Sequence, residues 1–574
     1  MSLPREASSR PAVPTTTITP GHRQDQGHYK QPVEYAFTRS QREYTTVLFG
    51  GLTWSHERLI KGAWEGLGYK CEVLPCPDVA AFQTGKEYGN NGQCNPTYFT
   101  VGNLVNYLHG LEEQGHTRQE ILDNFVYITA GACGPCRFGM YESEYRIALR
   151  NAGFDGFRVT LFQQGGGLNQ VDMEAGLEMN LDFFMGMLNA MNIGDMINEL
   201  GYMIRPYEVE PGRTDQVMED VREMLAEKLR TQDRARVRGG WRRVTDAVGA
   251  SRRLDSTAKY AQQLTTDYFV DALREARERF AGIEVDRFRV KPVVKITGEF
   301  WAQTTEGDGN FNMFPFLERE GAEVIVEPVG TWIMYMIHQV KQRLRDRRSL
   351  EDGQDWEPRA WRLDQKLSRE VSFRKKLAKM TLAERMFKRE YERLQEALGG
   401  GMLHELADQY HLQRVGHPYY NSRAGGGEGH LEVAKNIYYS SKGLCHMVLS
   451  LKPFGCMPST QSDGAQAAVV EHYKDIIYLP IETSGEGEIN AHSRVQMALG
   501  NARVKAREEF AQCLERTGRS LEQLKAYVED HAELKSPAYV VPHRDDVVST
   551  AACFVLHVGE RMDTEGISRA RAAA

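Results

Sequence analysis

A chain of 574 residues, 41% hydrophobic and 26% charged, has the composition of an ordinary globular protein and the length for about three or four domains of ~150 residues. Its formal net charge of -7 lacks the basic balance of a nucleic-acid binder, and neither a run of about 18 apolar residues nor a charged-then-apolar leader is present to suggest a membrane span or export. Nine cysteines in so long a chain suit reduced thiols or metal ligands in the cytoplasm better than a disulfide framework.

Residues 1–44, rich in Pro, Thr, Ser, Gln and Arg, carry no apolar period and are expected to be disordered. From there the pattern predicts a first α/β domain over 45–170. Tyr44–Phe49 reads as a strand, Gly50-Gly51 as a turn, His56–Leu67 as a helix and Tyr69–Leu74 as a second strand. A polar loop, Tyr88 to Pro96, opens a helix over 97–113 and places Cys94 just before the helix N-terminus, where the dipole lowers a thiol's pKa. The apolar run Asn124–Ile128 is a buried strand. It leads into Cys133-Gly-Pro-Cys136, followed by a helix over 142–151, a strand over 157–162 and the glycine loop 165–167.

A helical segment is expected over 171–290. Within it Met179, Phe183, Phe184, Met187 and Met191 recur at helical spacing and read as a buried packing face, and 213–287 as solvated charged helices. A second βαβ region, 291–335, runs from the strand Lys291–Ile296 through Gly298-Glu299 to the strand Ala322–Val326. A charged helical segment, 336–415, carries Arg343, Arg345, Arg347 and Arg348, which read as a solvated face. The third α/β region, 416–530, has a glycine-rich loop, Gly425–Gly429, feeding a helix, either a plain turn or a phosphate cradle. Its strand His446–Leu451 runs into the turn Lys452-Pro-Phe-Gly-Cys456-Met-Pro458. A last strand, Asp475–Pro480, and a helix to about residue 516 precede a polar tail, 531–574. The fold class is α/β: several Rossmann-like open parallel-sheet domains with long helical insertions.

Taken alone, Cys133-x-x-Cys136 is compatible with redox chemistry, half a zinc site, half an iron–sulfur site or two thiols at a turn. Cys94 and Cys456 share its position, a loop at the mouth of an α/β sheet. Four thiolates from distant segments suit a cluster between domains better than a zinc ribbon. Cys71, Cys445, Cys513 and Cys553 read as core thiols, with Cys76 an uncertain extra ligand.

Together these motifs resemble the 2-hydroxyacyl-CoA dehydratases and the proteins related to their activases, over about residues 45–503. The residues that carry the resemblance are Gln93-Cys94-Asn95-Pro96, Gly134-Pro-Cys-Arg-Phe-Gly139 with Tyr141, Gly298-Glu299 with Gly321-Ala-Glu-Val324, Gly427-Glu-Gly429, and Pro453-Phe-Gly-Cys-Met-Pro458. Asn95 and Met140 depart from the family's usual Tyr and Gln. The resemblance implies an oxygen-sensitive [4Fe–4S] protein, a double-cubane cluster or zinc being the lesser alternatives, with Cys94, Cys133, Cys136 and Cys456 as ligands. It implies low-potential electrons used on an acyl-CoA-like substrate. Arg137, Glu299 and Glu428 are the polar candidates at the cluster mouth: Arg137 to donate hydrogen bonds to a cluster sulfur or substrate carbonyl, a Glu to move protons. The chain shows neither an Asp-x-Gly-x-x-x-x-Lys loop nor a Gly-x-x-x-x-Gly-Lys-Ser/Thr loop, so an ATP-dependent activase is expected in trans. No nucleic-acid or membrane partner is expected, and a homo- or hetero-oligomer is compatible with the sequence. The alternative function is a non-catalytic cluster- or zinc-binding scaffold or maturation factor.

Overall fold

The computed structural model describes residues 37–131, 136–163, 176–233, 251–348 and 363–573. Most of the expected disordered N-terminus, Cys133 and the glycine loop at 165–167 lie outside them. Among the described residues eight strands form two sheets, and every strand pairing within those sheets is parallel. The first contains β1 (Thr46–Phe49), β2 (Lys70–Val73), β3 (Phe125–Gly131) and β4 (Arg158–Gln163), in the order β2-β1-β3-β4. The second contains β5 (Val293–Gly298), β6 (Glu323–Ile325), β7 (Met447–Pro453) and β8 (Ile477–Thr483), in the order β6-β5-β7-β8. The same topology therefore occurs twice. All residues of β1, β5 and β7 are buried, which explains their near-continuous apolar runs: in a parallel sheet the central strands are covered on both faces.

The regions expected at 291–335 and 416–530 complete each other. β5 pairs with both β6 and β7, so one sheet is built across the 336–415 insertion. Local periodicity cannot report a pairing made over more than a hundred residues. Helices Leu181–Ile204, Arg213–Thr231, Tyr268–Ala281 and the end of Leu363–Gly399 pack with Val47, Phe49 and Trp64 of the first half in one core. The segment expected as a polar tail also packs. Its helix Thr550–Ala573 buries Phe554, Val555 and Val558 against Phe510, Leu524 and Leu534. A helix at Val79–Tyr88, absent from the sequence reading, precedes the Cys94 loop, its N-terminus capped by Asp78. Among the described residues no helix is long and apolar enough to cross a membrane.

In each half the chain runs from the first strand to one neighbour and then crosses to the other side. The switch points lie between β1 and β3 and between β5 and β7, where loops diverge and leave a crevice at the strands' carboxyl ends. Phe82, Tyr98 and Phe99 of the first half cluster with Trp301 of the second. The two crevices thereby open onto each other.

Candidate functional site

Each cysteine position is set by a strand end or a helix start. Cys94 and Cys456 are the N-cap residues of helices Asn95–Glu113 and Met457–His472, both in extended conformation with proline two positions on. Cys136 follows β3 and opens the short turn Arg137–Met140. The loops are tied across the halves. Asn95 donates its backbone N–H to the Phe454 carbonyl at 3.0 Å and its side-chain amide to the Thr483 carbonyl at 2.8 Å. Two glycines permit this closeness. Gly455 adopts φ +78°, and a Cβ there would lie 3.3 Å from the Cys94 Cα; Gly427 adopts φ +95°, and its Cβ would lie 2.4 Å from the Pro458 ring and 3.6 Å from the Cys136 Cβ.

Cys94, Cys136 and Cys456 line one cavity of about 450 Å³, together with Arg137, Glu299 and Glu428. The three thiols are buried or half-buried. The Cys94 Sγ shares hydrogen bonds with the Thr97 hydroxyl at 3.2 Å and the Tyr141 hydroxyl at 3.0 Å. Burial pushes all three thiols upward, Cys136 to about 12 with Glu428 as the next cause; Glu299 adds to the rise at Cys94 and Cys456. For Cys94 this reverses the effect expected of the helix dipole, because loss of water costs a thiolate more than one helix end returns. A donor set of buried thiols among carboxylates is one that a bound metal's charge would ionise. Its chemistry fits a thiolate-ligated cluster. Among the described residues no three His, Cys, Asp or Glu side chains are already close enough to hold a metal ion.

Glu299 follows β5 and accepts the Ala302 N–H at 3.0 Å, capping the short helix Phe300–Thr304. Glu428 precedes helix Gly429–Ser441 and accepts the Trp332 indole N–H at 3.1 Å. Burial lifts both carboxyls above the usual carboxylate range; Glu299 and Glu432 raise Glu428 further, and Glu432 raises Glu299. Glu432 itself accepts hydrogen bonds from Ser459 at 2.7 Å and from Ser462. Arg137 lines the cavity, and its guanidinium donates to the Gly92 carbonyl, joining the Cys136 loop to the Cys94 loop.

Sequence reasoning missed Trp332, which stands in no motif and reaches Glu428 only through the tertiary fold, and Glu432, which lies one helical turn after Glu428 behind the cavity lining, so that its i, i+4 spacing was the available signal. The remaining cysteines lie elsewhere. Cys71 is buried in β2, Cys513 and Cys553 share a C-terminal apolar cluster, and Cys445 is half-buried. Cys76 is exposed, donates to the Glu306 carbonyl at 2.8 Å and is absent from the cavity lining. The sequence matches no protein-family model and no curated protein.

Proposed function

We propose that the chain is an iron–sulfur protein of the 2-hydroxyacyl-CoA dehydratase type, acting in the cytoplasm, with Cys94, Cys136 and Cys456, joined by Cys133, as ligands of a [4Fe–4S] cluster. The observation that carries this reading is that three thiols from loops of the two halves line one cavity, together with two carboxyls of raised pKa. When bound, such a cluster supplies one-electron chemistry at low potential. The chain's own groups do the rest. Glu299 and Glu428 hold protons near neutral pH, where a carboxylic acid can donate to a substrate carbonyl and later take the proton back. The Glu428 carboxyl is positioned by Trp332, and the Glu299 carboxyl by the Ala302 N–H. Arg137 fixes the loop that carries Cys136. The apolar walls exclude water from the reacting end of an acyl-CoA-like substrate.

A structural metal site is closed by its ligands and packed shut, whereas these cysteines open onto a cavity. That favours a catalytic centre over the scaffold reading. Electrons come from an ATP-dependent activase in trans. Met140, Phe454 and Met457, which neighbour the cysteines in sequence, are exposed and offer it an apolar rim. The test is anaerobic. Reduced activase, MgATP and this protein are mixed and the visible cluster spectrum followed. The reading expects reduction only with activase and ATP together; equal reduction without them would reject the partner, and a colourless protein would reject the cluster.

A further inference from the structure

The charged segment that the sequence presents as a solvated face is not an ordinary one. Residues 371–389 hold seven lysines and arginines and a single acid, Glu384, and residues 343–348 hold four arginines and a single acid, Asp346, in a chain whose formal net charge is -7. The two stretches lie side by side and antiparallel. Lys341 of helix Val329–Asp346 pairs with Glu384 of helix Leu363–Gly399, and Arg348, just past the first helix, pairs with Glu370 of the second at 2.9 Å. Asp346 is taken up by Arg423 at 3.0 Å, and Glu370 is shared with Arg374 at 2.6 Å. These acids are thereby occupied, whereas Lys375, Lys379, Arg385 and Arg389 have no ion-pair partner among the described residues. Lys375 and Lys379 stand one helical turn apart, as do Arg385 and Arg389, and like charges at that spacing repel. Helices Arg213–Thr231 and Tyr268–Ala281 show the ordinary solvated pattern: Arg222, Arg230, Arg274 and Arg279 each meet a Glu or Asp one turn away.

The same face carries aliphatic side chains in the open. The last turns of helix Leu363–Gly399 enter the core through Tyr391, Leu394 and Leu398. At 3.6 residues per turn the opposite face presents Leu367, Val371, Ala378 and Leu382 in one row with Arg374, Arg385 and Arg389. Leu367, Val371 and Leu382 are 67%, 55% and 59% exposed. Successive members of the row are three or four residues apart, the spacing of a seam between two helices. A bilayer suits the row poorly, because an interfacial helix separates its apolar face from its basic one, and here the two alternate without an aromatic anchor. Nucleic acid suits it poorly too: the row has no aromatic ring for a base to stack on, and its aliphatics would lie against phosphates.

We propose that this row docks an acidic amphipathic helix of a partner protein. The partner's aliphatic side chains lie against Leu367, Val371, Ala378 and Leu382, and its carboxylates against Arg374, Lys375, Arg385 and Arg389. A carboxylate matches a guanidinium with two parallel hydrogen bonds, and its charge relieves the like-charge pairs. The arginines at 343–348, packed alongside, add long-range attraction. From Leu367 to Arg389 the row is about 33 Å long, enough for about three heptads of partner. The inference rests on charge and exposure and is independent of the cluster.

The probe is a fluorescein-labelled synthetic peptide of about three heptads, with Leu and Ala on one helical face and Glu at the other positions, titrated into the full chain by fluorescence anisotropy. A peptide of the same composition in scrambled order keeps the charge and removes the stripe. Oligothymidylate and phosphatidylserine vesicles are the other polyanions. The expected result is a Kd on the order of 1 μM for the ordered peptide, at least ~10-fold tighter than for the other three, and ~10-fold weaker when salt rises from ~50 to ~300 mM. The double variant Lys375→Glu, Arg385→Glu should weaken the ordered peptide by ~10-fold or more, and Leu382→Ser by ~5-fold. All three side chains are exposed, so the fold is not at stake, and Arg507→Glu, on the exposed face of helix Glu488–Arg516, should change nothing. Equal affinity for the scrambled peptide, preference for the oligonucleotide or the vesicles, or binding unaffected by the double variant overturns the proposal. Self-association of the chain that the double variant abolishes in sedimentation would assign the row to a second copy and overturn it as well.

Discussion

Glu57 offers a prediction whose size follows from burial. The residue is 8% exposed, and its carboxyl accepts the Leu52 N–H at 3.0 Å and so holds the Gly50–Leu52 loop that forms part of the cavity wall. Burial is the main cause that pushes it from 4.5 up to about 8, with Glu306 adding to the rise and the Leu52 and Gly51 N–H groups opposing it. Between pH 4.5 and 8 the folded chain keeps a proton that the unfolded chain has released. The stability tied to that proton is fully present below the unfolded value and is lost as pH rises through the folded one. From pH 5 to pH 8 this amounts to roughly 3 kcal/mol, at about 1.4 kcal/mol per pH unit. Glu57→Gln keeps the shape and removes the titration. Any fixed cost of the amide is the same at both pH values, so the informative quantity is the change in the difference between variant and parent. Melting followed at pH 5 and pH 8 should show the variant gaining on the parent by about 3 °C over that interval if the chain melts as one unit. Parallel pH profiles for the two proteins would refute the buried, protonated Glu57.

Asn95→Ala removes the amide bond to the Thr483 carbonyl across the two halves and should destabilise by about 1–3 kcal/mol, with faster hydrogen exchange at 93–96 and 453–456. Gly455→Ala must place a side chain at φ +78° against Cys94, and a loss of about 1–2 kcal/mol is expected in urea unfolding. The Trp332 indole reports on Glu428: its fluorescence should titrate above the usual carboxylate range in the parent and show no such step in Glu428→Gln.

The strands were legible because central parallel strands are apolar without interruption; Thr46–Phe49 and Met447–Pro453 stand out for that reason. Cys94, Cys136 and Cys456 were legible as candidates because turn-forming Gly and Pro surround them. What the sequence could not show was produced by long-range pairing. Joining β5 to β7 brings Glu299 and Cys456 to one crevice, and the packing of helix Val329–Asp346 brings Trp332 to Glu428. The Phe/Met stripe of Leu181–Ile204, where Phe183 enters the core and Met187 and Met191 line the cavity, looks the same in sequence whether its neighbour is a side chain or a cavity. The dipole at Cys94 was visible from the sequence, but the burial that outweighs it was not.

The central claim, that Cys94, Cys136 and Cys456 hold one cluster, is tested most directly by iron and acid-labile sulfide analysis of anaerobically purified single variants. The account predicts about four irons per chain in the parent. Iron should fall sharply in Cys94→Ala, Cys136→Ala and Cys456→Ala, while Cys513→Ala, in the C-terminal apolar cluster, keeps the parent value. Zinc in place of iron, or full iron in any of the three cavity variants, would contradict it.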